Sequence, residues 1–79
     1  MSSERIIVGG AGGFIGGHLV AALLKKGTVV RAIDIKPLDE WYQRFAEAEN
    51  RQLDLRDKSA CEDAVEGAAI VYNLAADMG

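Results

Sequence analysis

Residues 5–17 read Arg-Ile-Ile-Val-Gly-Gly-Ala-Gly-Gly-Phe-Ile-Gly-Gly, and this stretch holds six of the nine glycines of the chain. The apolar, largely β-branched run 5–8 is typical of a strand that is buried on both faces of a parallel sheet. Residues 14–26 repeat apolar side chains at helical spacing, so a helix is expected directly after the glycines. Strand, glycine turn and helix together bring free backbone N–H groups and the positive end of a helix dipole to one point. The stretch therefore predicts a site for the pyrophosphate of a nucleotide.

The spacing of the glycines decides which form of this turn is present. Gly10, Gly13 and Gly16 fit G-x-x-G-x-x-G, whereas G-x-G-x-x-G started at Gly10 would need a glycine where Ile15 stands. We expect Gly10 to allow the tight turn off the strand, Gly13 to let the backbone approach a pyrophosphate, and Gly16 to let the helix pack closely. Glycine triplets also occur in plain turns and helix caps, so the triplet alone leaves both possibilities open.

Strands and helices alternate along the rest of the chain. The pattern predicts further strands at 28–33, 51–55 and 68–74 and further helices at 38–50 and 57–67. Only three apolar residues have helical spacing in 38–50 and much of the remainder is charged, so a loop is the alternative there. The last helix can begin with Asp57 as its N-cap or at Ser59, which forms a capping box with Glu62.

This β-α-β-α-β-α-β order predicts an α/β fold with a parallel sheet and helices on both faces. It corresponds to the N-terminal half of a doubly wound, Rossmann-type fold, with the strand order 3-2-1-4. Strands one and four would then be neighbours at the topological switch point, and the glycine turn and the residues after Leu74 would face one crevice. A ligand is expected to bind in that crevice.

Composition narrows the function further. The 79 residues form one small domain with a net charge of −3, which disfavours a nucleic-acid partner because the chain has no cluster of basic residues. Cys61 is the only cysteine and His18 the only histidine, which disfavours a disulfide framework, a zinc site or a catalytic triad. The apolar run before the glycines is too short for a signal peptide or a membrane span. We expect a reduced, cytoplasmic setting with no membrane contact.

Asp34 is the strongest candidate for a ribose contact. It ends the second predicted strand 18 positions after Gly16, where a carboxylate can accept hydrogen bonds from an adenosine ribose. A carboxylate there repels the 2′-phosphate of NADP, so the cofactor predicted is NAD, although Arg31 and Lys36 lie close enough in sequence to soften that exclusion. The alternative is that Asp34 serves only as a turn residue at the end of the strand.

These features together resemble a known family, the extended short-chain dehydrogenase/reductases, and within it the NAD-dependent sugar-nucleotide epimerases and dehydratases. The resemblance spans the chain and is carried by residues 10–19, Asp34, 54–57 and 72–76. It implies that the backbone or side chains of several residues contact the cofactor. These are Gly13, Phe14 and Ile15 for the pyrophosphate, Asp34 for the ribose, Asp54 and Leu55 for the adenine edge, and Leu74, Ala75 and Ala76 beside the middle of the cofactor.

One part of the family pattern is missing from the 79 residues. These enzymes resemble one another in a Tyr-x-x-x-Lys pair that works as general acid and base, but Tyr42 is followed four residues later by Ala46 and Tyr72 by Ala76. We therefore expect an N-terminal fragment, inactive alone and without the substrate domain, of an enzyme that acts on a nucleotide-sugar substrate by transient hydride transfer to NAD.

Two further expectations follow from the sequence. The alternative function is a non-catalytic dinucleotide-binding sensor or interaction module, which would keep the glycine turn and lack the tyrosine and lysine. If the sheet ends at the fourth strand, its apolar edge is open to pairing with another chain, and we expect self-association.

Overall fold

The computed structural model describes residues 5–74 of the chain. Its elements are β1 (Arg5–Gly9), α1 (Phe14–Lys25), β2 (Val29–Asp34), a single 3₁₀ turn (Leu38–Glu40), β3 (Glu49–Gln52), α2 (Lys58–Val65) and β4 (Ala68–Asn73). All neighbouring strands pair in parallel, in the order β3-β2-β1-β4. The predicted fold class and strand order are thus confirmed.

The two faces of the sheet are covered by different helices. Because side chains alternate along a strand, Val8 of β1 lies on one face, in a buried cluster against which leucines of α1 pack. Ile7 of β1 and Ile33 of β2 lie on the other face and contact Ala64 of α2. Helices on both faces are what the order of the elements predicts, and both faces bury apolar side chains against β1 and β2.

Glycines end both helices in the predicted places. The backbone of Gly27 has φ 80° and that of Gly67 has φ 75°, a left-handed conformation that favours glycine. After α1, the N–H of Gly27 donates to the carbonyl of Leu24 at 2.9 Å, which satisfies a carbonyl of the last turn. In the described part of the chain, neither helix has the length and apolar character needed to cross a bilayer.

The start of α2 settles the choice between its two predicted caps. Asp57 is the N-cap, and its Oδ1 accepts the backbone N–H groups of Ser59 at 2.9 Å and Ala60 at 3.4 Å. The capping box from Ser59 is therefore wrong, because Ser59 already lies inside the helix.

The helix predicted over 38–50 is wrong, and the alternative of a loop is confirmed. The only helical element there is the 3₁₀ turn, after which Trp41 adopts an extended conformation with φ −70° and ψ 142°, and β3 begins at Glu49. The Asn50 side chain donates to the carbonyls of Phe45 at 2.8 Å and Ala48 at 3.1 Å, so a side chain satisfies groups that a helix would have paired internally. Burial of Trp41, which is 8% exposed, stabilises this path over a surface helix.

The third strand begins two residues earlier and ends three residues earlier than the predicted 51–55. β3 runs from Glu49 to Gln52 and pairs with residues 31–34 of β2. Leu53 and Leu55, which the sequence places in the strand, follow it and pack against the α2 face of the sheet. All four residues of β3 are polar, because the strand lies at an edge of the sheet, where burial is incomplete. The sequence therefore has no apolar pattern that indicates where this strand begins.

Candidate functional site

A cleft of about 400 Å³ opens at the carboxyl ends of the strands. Each strand contributes residues at or just after its end, so the lining comes from four loops that are far apart in sequence. The lining residues are Gly10, Gly13, Ile33, Asp34, Ile35, Lys36, Leu53, Asp54, Leu55, Arg56, Asn73 and Leu74. In parallel sheets of this kind, ligands bind at this edge.

The glycine turn after β1 is held tightly against β2 and α1. The N–H groups of Gly10 and Ala11 both donate to the carbonyl of Ile33, at 2.8 and 2.9 Å. Gly10 has φ 81°, which a larger residue would adopt only with strain. A Cβ on Gly16 would lie 2.1 Å from the carbonyl oxygen of Gly10, so the first turn of α1 touches the backbone of the loop. The tight turn and the close packing expected of these two glycines are both present.

The N-terminus of α1 is open toward an anion. Its N-cap is Gly13, which has no side chain to cap the helix, and the first turn contains no acidic residue. No side chain in residues 5–74 caps this helix end. The first N–H groups of a helix have no partner within the helix, so those of Phe14 and Ile15 have no acceptor in α1, directly after Gly13, which lines the cleft. This arrangement suits a phosphate or pyrophosphate.

Asp34 links the glycine turn to the end of β2. Its Oδ2 accepts the N–H of Gly12 at 2.9 Å, and its Oδ1 accepts the N–H of Lys36 at 3.0 Å. The residue does serve the turn after the strand, and it also lines the cleft. A carboxylate offers about four acceptor positions, so two hydrogen bonds leave it able to accept hydroxyl groups of a ligand.

The loop that follows β2 fixes the other side of Gly12. The N–H of Tyr42 donates to the carbonyl of Gly12 at 2.9 Å, and the Nε1–H of Trp41 donates to the carbonyl of Lys36 at 3.0 Å. A Cβ on Gly12 would lie 2.8 Å from Cδ1 of Trp41. Trp41 is therefore buried beneath the glycine turn. Tyr42 stays exposed, with its ring in edge contact with that of Phe14, 5.0 Å between centroids.

An ion pair forms the rim of the cleft after β3. Nε and Nη2 of Arg56 donate to Oδ1 and Oδ2 of Asp54 at 2.9 and 3.0 Å, and the backbone N–H of Arg56 donates to Oδ1 at 2.9 Å. These hydrogen bonds and the positive charge of Arg56 hold the pKa of the Asp54 carboxyl below its usual range. Asp54 is thus an anionic acceptor of fixed orientation at the cleft.

Arg31 lies elsewhere, which corrects one expectation. Its Nη1 donates to the carbonyls of Asp63, Ala64 and Glu66 at the C-terminus of α2, and its Nε donates to Oε1 of Glu49 at 3.1 Å. Since α2 starts near the carboxyl ends of the strands, its last carbonyls lie at the opposite edge of the sheet. Arg31 therefore caps a helix and cannot soften the exclusion of NADP, whereas Lys36 does line the cleft.

The structure brings together most of the site residues named from the sequence. Gly10, Gly13, Asp34, Asp54, Leu55 and Leu74 line the cleft. Phe14, Ile15 and Gly16 form the start of α1 beside it. The expectations for Ala75 and Ala76 lie outside the described residues.

Sequence reasoning assigned no contact to several lining residues, chiefly Leu53, Arg56, Asn73 and Ile35. The signal that could have found them is positional, because each follows or ends a strand of a parallel sheet. Among residues 5–74, no three His, Cys, Asp or Glu side chains lie close enough together to hold a metal ion.

Comparison with known proteins identifies the family of the chain. The family model described as "NAD dependent epimerase/dehydratase family" matches residues 6–79. The chain is 39% identical over 75 residues to GDP-mannose 3,5-epimerase 1 of Oryza sativa subsp. japonica, which covers 95% of this chain and 20% of that protein. The chain therefore spans about a fifth of the length of this relative.

Solved structures with bound NAD have the same fold. A short-chain dehydrogenase/reductase superfamily protein from Agrobacterium tumefaciens, with bound NAD, superposes with a TM-score of 0.78 at 33% identity, over 96% of this chain and 21% of that one. The UDP-glucose 4-epimerase of Thermus thermophilus in complex with NAD gives a TM-score of 0.77 at 31% identity, over 92% of this chain and 24% of that one.

Proposed function

The chain belongs to the NAD dependent epimerase/dehydratase family, and we propose that its cleft binds NAD. One observation carries this proposal: the uncapped N-terminus of α1 lies close to the carboxylate of Asp34. The two are linked by Gly12, which directly precedes the N-cap of α1 and whose N–H donates a hydrogen bond to Asp34. A dinucleotide needs an anion site and a ribose acceptor at this kind of spacing. The solved relatives with NAD support the choice of cofactor.

The proposed placement follows the lining of the cleft. The pyrophosphate lies at the backbone N–H groups of Phe14 and Ile15, and the adenosine ribose donates its hydroxyls to Asp34. The N–H of Gly13, which sequence reasoning also assigned to the pyrophosphate, instead donates to the carbonyl of Gly10 at 3.1 Å. The adenine lies between the loops that follow β2 and β3, beside Asp54 and Leu55. The middle of the cofactor passes Leu74, with Ala75 and Ala76 continuing along the chain.

The charge of Asp34 favours NAD over NADP. At about 4 Å and an effective dielectric constant near 20, two unit charges of like sign repel by about 4 kcal/mol, and a 2′-phosphate carries more than one. Lys36 lines the cleft and offsets part of this repulsion. The preference is therefore a difference in affinity rather than an absolute exclusion.

We propose that the longer protein acts on a nucleotide sugar. Residues 73–79 resemble the matching stretch of GDP-mannose 3,5-epimerases, and the relatives named above include one such enzyme and a UDP-glucose 4-epimerase. In the proposed reaction a sugar carbon gives a hydride to NAD⁺ and its hydroxyl gives a proton to a base, leaving a ketone; the hydride returns after epimerisation or elimination at the neighbouring carbon. Neither tyrosine of these 79 residues has a lysine four positions later, so the role that we propose for this chain is cofactor binding. The cytoplasmic location stays a prediction.

Calorimetric titration of the 79-residue chain with NAD and with NADP tests the cofactor site. We expect NAD to bind and NADP to bind at least about tenfold more weakly. Asp34→Asn, which keeps an acceptor for the turn, should bring the two affinities within about threefold. Asp39→Asn removes an exposed carboxylate outside the cleft and is the matched control. Binding of neither nucleotide to a chain that circular dichroism shows to be folded would contradict the proposal.

We also propose that β4 pairs with a second chain. β4 is an edge strand of the described sheet, and its Ile70, Val71 and Tyr72 are 41–46% exposed. An open apolar edge is a template for strand pairing. Light scattering across the micromolar range should show a mass above 8.5 kDa that rises with concentration; a constant monomer mass would contradict this.

A further inference from the structure

The ion pair of Asp54 and Arg56 is more constrained than a surface ion pair needs to be. Three N–H groups of one residue, two from the side chain and one from the backbone, converge on one carboxylate at 2.9–3.0 Å. Both residues line the cleft, in the turn that follows β3. Such a two-pronged contact fixes the plane of the carboxylate as well as its charge.

Counting acceptor positions shows what the carboxylate still offers. An ionised carboxylate has about four lone-pair positions, two on each oxygen. Arg56 takes both positions of Oδ1, by its backbone N–H and Nε, and one position of Oδ2, by Nη2. One position on Oδ2 is left for a ligand. The pKa of Asp54 lies below its usual range because of the same contacts, so the group accepts a hydrogen bond and does not donate one.

A single fixed acceptor distinguishes bases by their exocyclic group. Adenine presents an amine that donates at its 6-position, whereas hypoxanthine and guanine present a carbonyl oxygen there. Facing Asp54, the carbonyl would set oxygen against oxygen. The ring N1–H beside that carbonyl could reach the acceptor only if the base shifted, so a carboxylate held in one orientation is left without its partner, which costs more than the loss of one neutral hydrogen bond.

We propose that Arg56 is the positioning residue that makes this cleft select adenine, by aiming the single remaining acceptor of Asp54 at the amine of the base. The inference rests on the proposed function, since it assumes that a dinucleotide binds with its base beside Asp54. Arg56 itself touches Asp54, and its effect on the ligand is exerted through that side chain.

The test compares the affinities of NAD and nicotinamide hypoxanthine dinucleotide, whose bases differ in the 6-substituent, amine or carbonyl, and in ring N1, which carries a proton in hypoxanthine. For the 79-residue chain we expect NAD to bind about tenfold more tightly or better. Arg56→Gln should reduce this ratio to within about threefold, because the carboxylate of Asp54 can then turn to accept either the amine of adenine or the ring N1–H of hypoxanthine. Asp54→Asn should lose the preference as well, since an amide can donate to the carbonyl of hypoxanthine.

Two controls separate positioning from charge and from folding. Arg44→Gln removes an exposed arginine outside the cleft and should leave the ratio of affinities unchanged. In Arg56→Gln, NMR titration should show the Asp54 carboxyl pKa rising toward its usual value, a change that requires no ligand.

The outcomes distinguish a failure of the proposed function from a failure of the role assigned to Arg56. If the wild-type chain binds neither dinucleotide, the proposed function and this inference are both overturned. If it binds NAD but Arg56→Gln keeps the wild-type ratio, or weakens both dinucleotides equally, only the role assigned to Arg56 is overturned.

Discussion

The two α-helices in the described residues 5–74 begin in opposite ways. α2 starts at Asp57, whose carboxylate accepts the N–H groups of Ser59 and Ala60. α1 starts at Gly13, whose missing side chain leaves the first N–H groups without a cap. Both helices follow strands of the same parallel sheet, at the same edge.

The difference is between a helix end that is capped by a side chain and one that is not, and the uncapped end is where we propose that the ligand binds. A capping carboxylate stabilises a helix by roughly 1 kcal/mol relative to alanine, and α2 has this contribution built in. α1 does without it, and the hydrogen bonds that its loop does make fix the backbone of Gly10 and Gly12 instead. The end of α1 that stays uncapped is the anion site that we propose, and omitting a stabilising cap is a local departure from maximal stability that is typical of functional sites.

Breaking the start of α1 should have the largest effect. In Gly16→Val, the Cβ would meet the carbonyl oxygen of Gly10 at a distance no real contact reaches, and the obstacle is backbone. We expect a loss of at least about 3 kcal/mol of unfolding free energy, which is a large part of the stability of a 79-residue domain. Thermal denaturation followed by circular dichroism measures the change.

The neighbouring glycine provides the control. A Cβ on Gly17 would lie 3.4 Å from Cβ of Gln43, close but accommodated by a side chain that can shift. Gly17→Ala should be neutral or stabilising, by up to about 1 kcal/mol, because alanine favours the helix. Equal destabilisation by both substitutions would mean that the contact with Gly10 is not what fixes the start of α1.

The sequence predicts the alternating strands and helices well, and it predicts less well the segment 38–50, whose path depends on a long-range contact. The buried β1 and β2 and the two glycine-ended helices follow from apolar periodicity and turn residues, and the strand order follows from the usual order of the Rossmann-type fold that they indicate. The segment 38–50 does not, because its path depends on Trp41 burying its ring beneath Gly12, a contact between residues 29 positions apart. Local propensity cannot show such a contact.

The residues of the candidate site also differ in how well the sequence predicts them. Glycine spacing finds Gly10 and Gly16 for reasons visible in the backbone, since Gly10 has φ 81° and a Cβ on Gly16 would overlap the carbonyl of Gly10. It also finds Gly13, whose own backbone conformation and surroundings do not require glycine. Sequence reasoning assigned no role to Arg56, because that role depends on its hydrogen bonds to Asp54 within the same turn. It placed Arg31 wrongly, because charge and sequence distance do not reveal that its guanidinium donates to carbonyls of α2. Side-chain direction, rather than residue type, is the missing information.

Giving α1 the start of α2 should separate folding from binding. Gly13 has φ −85° and ψ 176°, which any residue adopts, and a Cβ there meets only Gly10 O at 3.5 Å. Gly13→Asp should therefore fold with equal or slightly greater stability, because aspartate caps a helix at least as well as glycine. NAD binding should fall by about 100-fold or more, since the new carboxylate occupies the anion position. Calorimetric titration and thermal denaturation measure the two quantities.

The matched variant for this change is Gly13→Asn, which caps the helix with a side chain of the same size and no charge. If asparagine weakens NAD binding as much as aspartate, then space rather than charge excludes the pyrophosphate. If aspartate leaves NAD binding unchanged, the N-terminus of α1 is not the anion site, and the contrast between the helices has no functional meaning.

Removing the cap of α2 should have the smallest effect and should spare the ligand. Asp57→Ala leaves the N–H groups of Ser59 and Ala60 without their acceptor, at a cost of about 1 kcal/mol in unfolding free energy. Asp57→Ser restores an acceptor and should recover most of the loss. Because Asp57 does not line the cleft, the NAD affinity of the folded chain should stay within about twofold of wild type at a temperature where both variants are folded. A larger loss of affinity in Asp57→Ala than in Asp57→Ser would show that the capped helix also holds the loop that carries Asp54, and the two helix ends would then act on one site rather than dividing stability and binding between them.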